Sequence, residues 1–211
     1  MSDKNSVLKN LDYTFIFARS PESWSSSHLY YEHWIAAQTK IIHLAKRCQS
    51  LDSDGITVYL ASSPFIKHQD TEVIKLAKLF QMKNPPETMD LVNSLEDAIN
   101  DHFQSKNTKK TKNGDIILVL LDKISNEQES LINLIIDTTK KIDFISDREN
   151  SYRLGISFLQ VGEDLDTKEF LTYLDNRLVE VGAKSDIVDT KLWYEIKQKS
   201  LVDVLNCCLE D

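Results

Sequence analysis

Asp115-Ile116-Ile117-Leu118-Val119-Leu120-Leu121 is a continuous apolar run that follows the turn-forming pair Asn113-Gly114. A strand with one face in water would alternate apolar and polar side chains. An unbroken run of β-branched and aliphatic residues is instead typical of a central parallel strand that helices cover on both faces. The sequence therefore predicts that residues 115–121 form the middle of an α/β sheet.

Strand-like and helix-like segments alternate on both sides of this run. Further strands are predicted at 13–17, 56–61, 63–68 (an edge strand), 152–161 and 185–188, and helices at 30–49, 70–81, 88–103, 127–142, 167–181 and 191–209. Strands separated by helix-length segments favour right-handed βαβ crossovers. We therefore expect a doubly wound, mostly parallel six-stranded sheet with helices on both faces, a Rossmann-like three-layer α/β/α architecture.

The chain is expected to form one domain. Its 211 residues are 41% hydrophobic and 27% charged, which is ordinary globular usage, and no repeat or Gly/Ser-rich linker divides them. We assign residues 1–10 to an N-terminal tail and 11–211 to a single domain. Met1 to Asn10 lack the apolar core of a secretory signal, and no later apolar run is long enough to span a membrane, so a cytoplasmic location is expected.

The charge of the chain argues against two classes of partner. A formal net charge of −8 opposes the approach of phosphate backbones and of anionic bilayers. Nucleic acid and anionic bilayers are therefore not expected partners.

A ligand site in such a sheet forms beyond the carboxyl ends of the strands. The predicted strands place three loops there: 18–27, 84–88 and 122–126. None carries the glycine pattern of a dinucleotide site or a P-loop, and the chain has only five glycines. Nucleotide binding through these motifs is therefore excluded.

These loops resemble those of the von Willebrand factor type A (vWA) family, and the likeness spans nearly the whole chain. The matching stretches are Ser20-Pro21-Glu22-Ser23 after the first strand, Pro86-Glu87-Thr88-Met89-Asp90-Leu91 at a helix start, and Leu121-Asp122-Lys123 after the central strand. Three further stretches are similar to a subgroup of bacterial cytoplasmic A-domain proteins: Gly155-Ile156-Ser157-Phe158-Leu159-Gln160-Val161-Gly162, Gly182-Ala183-Lys184 and Asp186-Ile187-Val188-Asp189-Thr190.

The resemblance implies a degenerate metal-ion-dependent adhesion site. In the family an Asp-x-Ser-x-Ser loop, a Thr and an Asp hold Mg²⁺ or Mn²⁺ through hard oxygen ligands. Here Ala18 stands for the leading Asp and Glu22 for the second Ser. The expected ligand set is Ser20, Glu22, Thr88 and Asp122, which would bind Mg²⁺ weakly or not at all.

Simpler roles for these residues stay open. Ser20 and Thr88 lie where loops meet helix starts, so each could merely cap a helix. Arg19 would discourage a cation if its side chain turned inward.

The resemblance favours a non-catalytic protein-binding module, an adaptor or assembly factor. Its predicted contact residues are Ser20, Glu22, Trp24, Thr88 and Asp122. One alternative is a Mg²⁺- or Mn²⁺-dependent binding domain in which a partner carboxylate completes the metal shell. A less favoured alternative is a hydrolase with a Ser20 nucleophile and a base at His28 or His33, although no Gly-x-Ser-x-Gly motif supports it.

Overall fold

A six-stranded sheet organises the fold. The computed structural model describes Leu8 and residues 11–51, 55–71, 73–80, 86–108, 114–124, 126–146, 153–196 and 199. The strands are β1 (Leu11–Ala18), β2 (Ile56–Leu60), β3 (Ile66–Thr71), β4 (Gly114–Leu121), β5 (Arg153–Gln160) and β6 (Val188–Leu192), in the order β3-β2-β1-β4-β5-β6. Every neighbouring pair is parallel except β2 and β3. The predicted doubly wound, mostly parallel sheet is confirmed.

The apolar run at 115–121 forms the centre of the sheet, as predicted. Every residue of β4 is buried, and β4 pairs with β1 on one side and β5 on the other. At mid-strand Leu118 lies opposite both Phe15 and Ser157. A strand covered on both faces has no polar face, which explains why its sequence does not alternate.

Helices cover both faces of the sheet. They are α1 (Tyr31–Leu51), α2 (Val73–Leu79), α3 (Leu91–Thr108), α4 (Gln128–Ser146), α5 (Leu165–Arg177) and α6 (Trp193–Ile196), with 3₁₀ turns at Pro21–Trp24 and Val179–Val181. In one core Trp34 of α1 packs with Phe15 and Leu118, and in the other α3, α4 and α5 pack against alternate residues such as Ile16. Within the described chain, no helix is both long enough and apolar enough to cross a membrane.

The structure corrects the predicted limits of β3 and of the following helix. β3 spans Ile66–Thr71 rather than 63–68, and α2 begins at Val73 rather than at Asp70. The antiparallel ladder explains the shift, because Thr71 still lies opposite Ile56 of β2. Pairing with the neighbouring strand outweighs the helix-start preference of the local sequence.

The last strand and helix also begin later than predicted. β6 starts at Val188 instead of ending there, because the Asp186 side chain accepts a hydrogen bond from the Val188 amide (3.2 Å) and so forms a turn. α6 covers Trp193–Ile196. The rest of the helix predicted to reach residue 209 lies outside the described residues, apart from Lys199.

A glycine contact joins two loops at the carboxyl edge of the sheet. Gly162 follows β5 with φ +103°, and a Cβ there would lie 2.7 Å from the ring of Tyr30, just before α1. Gly182 also has a positive φ, +122°, but its Cβ would meet nothing within 4 Å. A side chain at Gly182 would therefore introduce backbone strain alone, whereas one at Gly162 would introduce both strain and a steric clash.

We expect Gly162→Ala to destabilise the protein more than Gly182→Ala. Gly182→Ala should lower the free energy of unfolding by about 1 kcal/mol, through backbone strain alone. Gly162→Ala should lower it by about 1–3 kcal/mol more, because the new methyl group clashes with Tyr30. Urea unfolding measures both losses. In a Tyr30→Ala background the excess should vanish, and equal losses for the two glycine variants would contradict the contact.

Candidate functional site at the carboxyl edge of the sheet

The parallel register of β1 and β4 brings Ser20 and Asp122 together. Ala18 lies opposite Leu121, so the residues that follow both strands leave the sheet side by side. The Ser20 amide donates to Asp122 Oδ1 (2.8 Å), and Ser20 Oγ donates to Asp122 Oδ2 (2.6 Å). Only 5% of Ser20 and 2% of Asp122 are exposed. Both oxygens of a buried carboxylate are thus satisfied by one residue.

Arg19 turns into the protein instead of towards solvent. Its guanidinium donates through Nε to Ser23 Oγ (3.3 Å) and through Nη2 to the Ser23 carbonyl. The guanidinium carbon lies 4.5 Å from the Trp24 ring centroid, 5.2 Å from that of Trp34 and 5.7 Å from that of Tyr31. Three aromatic rings therefore enclose a cation that is only 5% exposed.

The charges of Arg19 and Asp122 act on each other. Burial lowers the pKa of Arg19, and the negative charge of Asp122 opposes that shift by raising it. A guanidinium nevertheless remains protonated in proteins. The positive charge beside Asp122 is thus supplied by the chain itself.

Glu22 follows the buried Arg19 and Ser20 in the first loop and lies on its solvent side. It is exposed on the 3₁₀ turn after β1. Its own backbone amide holds the pKa of the Glu22 carboxyl below its usual value, with a smaller contribution from the positive charge of Lys123. Glu22 therefore presents an ionised carboxylate at the surface of the edge.

Thr88 does not cap a helix, and it takes no part in the hydrogen bonds that join Ser20 to Asp122. It is exposed before Met89, which forms an isolated bridge with Ser62, and none of the hydrogen bonds described for residues 86–108 involves it. α3 begins three residues later than predicted, at Leu91. The structure thus contradicts the expected helix start at Thr88.

Asp90 and Glu127 supply the carboxylates at the start of α3. Asp90 Oδ1 accepts from the Asn93 amide (3.1 Å), and Glu127 Oε1 accepts from the Val92 amide (3.0 Å). Burial raises the pKa of Glu127, and the Val92 amide offsets part of that shift. Sequence reasoning missed Glu127. Its position before α4 was the only signal, and its contact with another helix depends on tertiary structure.

Part of the Trp24 side chain is packed inside the protein. It is half-buried, its ring faces the Arg19 guanidinium, and its indole N–H is buried with no partner among the described residues. Only part of this side chain remains for contact with another protein.

The residues present do not fit a divalent-cation site. Such an ion takes about six oxygen ligands. Ala18 contributes no side-chain oxygen, Ser20 donates its hydroxyl proton to Asp122, and the Arg19 guanidinium acts on the same carboxylate. In the described ranges, no group of three or more His, Cys, Asp or Glu side chains is arranged to hold a metal.

The histidines near the first loop contact Tyr30 rather than Ser20. His28 Nδ1 accepts from the Tyr30 amide (3.2 Å), and the His33 ring stacks on Tyr30. Ser20 Oγ donates to Asp122. The serine–histidine pair required for the hydrolase hypothesis is not among the hydrogen bonds of the described residues.

Comparison with known proteins identifies a similar fold. No protein-family model matches the sequence, and no curated protein matches it. Among solved structures, the crystal structure of manganese-loaded Plasmodium vivax TRAP protein is similar with a TM-score of 0.55 and 12% identity, covering 92% of this chain and 74% of that chain. At that identity the similarity concerns the fold alone. Together with the six-stranded sheet, it supports a vWA-like fold for this chain.

Proposed function

We propose that this chain is a non-catalytic protein-binding module of the vWA type, an adaptor or assembly factor, which needs no divalent ion. One observation carries the proposal: Ser20 satisfies both oxygens of Asp122 while the buried Arg19 supplies a positive charge. The loops that would surround an ion are thus held in place by the chain's own hydrogen bonds and charges.

The partner would meet the solvent side of this edge. Glu22 and Thr88 are exposed there, whereas Ser20 and Asp122 are buried. We assign Glu22, Thr88 and the accessible part of Trp24 to direct contact. Ser20 and Asp122 position the loops that carry these contacts. Recognition of this kind requires no change in the bonds of either protein, so no catalytic group is assigned.

Photo-crosslinking in the cell of origin tests the location of the contact. A benzophenone amino acid at position 22 or 88 should give discrete protein adducts, because both positions are exposed at the carboxyl edge. The control is position 153, which is exposed at the amino end of β5, on the opposite edge. Equal adducts at position 153, or none at 22 and 88, would contradict the proposal.

A Mg²⁺- or Mn²⁺-dependent binding domain is the competing function. It is favoured by the similarity of fold to a protein whose structure is manganese-loaded. An ion at Asp122 would have to break the Ser20 hydroxyl contact and approach a buried guanidinium of like charge. This difference makes the two functions separable by titration.

Calorimetry with Mn²⁺ should show no saturable binding by the wild-type protein up to about 1 mM, which is the weak end of protein divalent-ion sites. The triple variant Ala18→Asp/Arg19→Ser/Glu22→Ser restores the family's oxygen ligands and removes the guanidinium. We expect that variant to bind Mn²⁺. Saturable wild-type binding that Asp122→Asn abolishes would instead establish the metal-dependent alternative.

A double-mutant cycle tests whether Arg19 neutralises Asp122. Arg19→Met and Asp122→Asn should each lower the free energy of unfolding by about 2–3 kcal/mol, because each leaves a buried charge without its counter-charge. The double variant should lose about 1 kcal/mol less than the sum of the single losses. Glu22→Gln is the exposed control, with a loss below about 0.5 kcal/mol. Additive losses in chemical denaturation would show that the two charges act independently.

A further inference from the structure

A polar cavity lies between α5 and the last two strands, at the carboxyl edge of the sheet. One face of α5 forms one wall, because Lys168, Leu171 and Asp175 recur at helical spacing. The other wall contains Gln160 at the end of β5 and Leu192 at the end of β6, which lie opposite each other in the sheet. The cavity has a volume of about 190 Å³. It therefore has room for about six water molecules, which is less than a drug-sized ligand needs.

Gln160 brings a buried acceptor to this cavity. The residue lines the cavity and is fully buried. Its Nε2 donates to the Asp164 carbonyl (2.7 Å), which fixes the side-chain amide. Its Oε1 is buried and accepts no hydrogen bond from any described residue. Because a buried carbonyl oxygen without a donor is costly and rare in native proteins, this wall favours a ligand that donates a hydrogen bond.

Both signs of charge line the cavity. Lys168 and Lys191 supply two ammonium groups, and Asp175 and Glu195 supply two carboxylates. A purely anionic ligand would lie beside the carboxylates, and a purely cationic ligand would lie beside the ammonium groups. A small molecule that carries one charge of each sign avoids both repulsions. The lining therefore favours a zwitterion.

Lys168 and Glu195 offer the charges that such a ligand would meet. Both residues are exposed. The Leu192 amide donates to Glu195 Oε2 (3.2 Å), and no hydrogen bond among the described residues involves Glu195 Oε1. The Lys168 ammonium takes part in no ion pair within the described chain. Lys191, in contrast, is paired with Asp189.

We propose that this cavity binds a free α-amino acid with a small aliphatic side chain. The carboxylate of the ligand contacts the Lys168 ammonium, and its ammonium donates to Gln160 Oε1 and to Glu195. Its side chain packs against Leu171 and Leu192, which line the cavity and are both buried. Small-molecule sites commonly combine an apolar wall with a few convergent polar groups. The inference goes beyond the proposed function and does not depend on it.

Calorimetry with L-valine tests the inference on the wild-type protein. We expect saturable binding with a dissociation constant below about 1 mM, a modest affinity for so small a ligand. Isovalerate lacks the ammonium and isobutylamine lacks the carboxylate, so each should bind about tenfold more weakly or worse. N,N,N-trimethyl-L-valine keeps both charges but has no N–H to donate to Gln160 Oε1. It should also bind about tenfold more weakly or worse.

Two variants test the assigned charges. Lys168→Met removes the ammonium and keeps an aliphatic chain, and Glu195→Gln keeps an acceptor for the Leu192 amide. Each should weaken L-valine binding about tenfold. Lys140→Met is the matched control, because Lys140 is an exposed lysine of α4 that pairs with Asp137 and does not line the cavity. It should leave L-valine binding unchanged. Circular dichroism confirms that each variant is folded.

The absence of saturable L-valine binding would overturn the inference, and so would equal binding of L-valine and either of its singly charged analogues. Unchanged L-valine binding by Lys168→Met would place the ligand elsewhere and overturn it as well. Saturable binding of glycerol in place of L-valine would replace the amino acid with an uncharged polyol. The crosslinking result at positions 22 and 88 is independent of all these outcomes, because neither position lines the cavity.

Discussion

The parallel pairing of β1 with β4, in which Ala18 lies opposite Leu121, determines the geometry of the whole carboxyl edge. Because neighbouring residues of a strand point to opposite faces, a shift of one position would exchange the two cores and separate Ser20 from Asp122. The register is fixed from both sides, since β1 alternates Phe15 and Ile16 between two different cores. The arrangement of the site is thus a consequence of how the sheet is packed.

That packing places a carboxylate and a guanidinium in the interior, and each would be costly alone. Burial opposes the charge of Arg19, and the nearby charge of Asp122 supports it. The remaining hydrogen-bonding demand is met locally, by Ser20 for Asp122 and by Ser23 for Arg19. Aromatic faces then exclude water from the guanidinium. The hydrogen bonds of Ser20 and Arg19 and the packing of Trp24 on the guanidinium therefore hold the first loop in place.

The sequence predicts the parts of this structure that depend on local pattern. The apolar run of β4 and the order of strands and helices follow from periodicity. The meeting of Ser20 with Asp122 was expected from loops beyond the carboxyl ends of parallel strands and from the vWA resemblance. Sequence-based prediction fails where two neighbouring residues could each cap the same helix. Thr88 and Asp90 both favour a helix cap, and the complete burial of Leu91 decides for Asp90. The inward turn of Arg19 was beyond prediction, because Trp34 reaches it only through the packing of α1.

The different charge inside and outside the carboxyl edge has a consequence for recognition. Inside, the buried Arg19 and Asp122 carry opposite charges that act on each other. Outside, the exposed carboxylates of Glu22, Glu163 and Asp166 are only partly balanced by Lys123 and Lys168. In a metal-dependent site a divalent cation gives the edge a positive centre and attracts a partner carboxylate. In the metal-free site that we propose, Arg19 and Asp122 carry opposite charges at the centre and the exposed carboxylates are negative, so selection among partners by charge would run in the opposite direction.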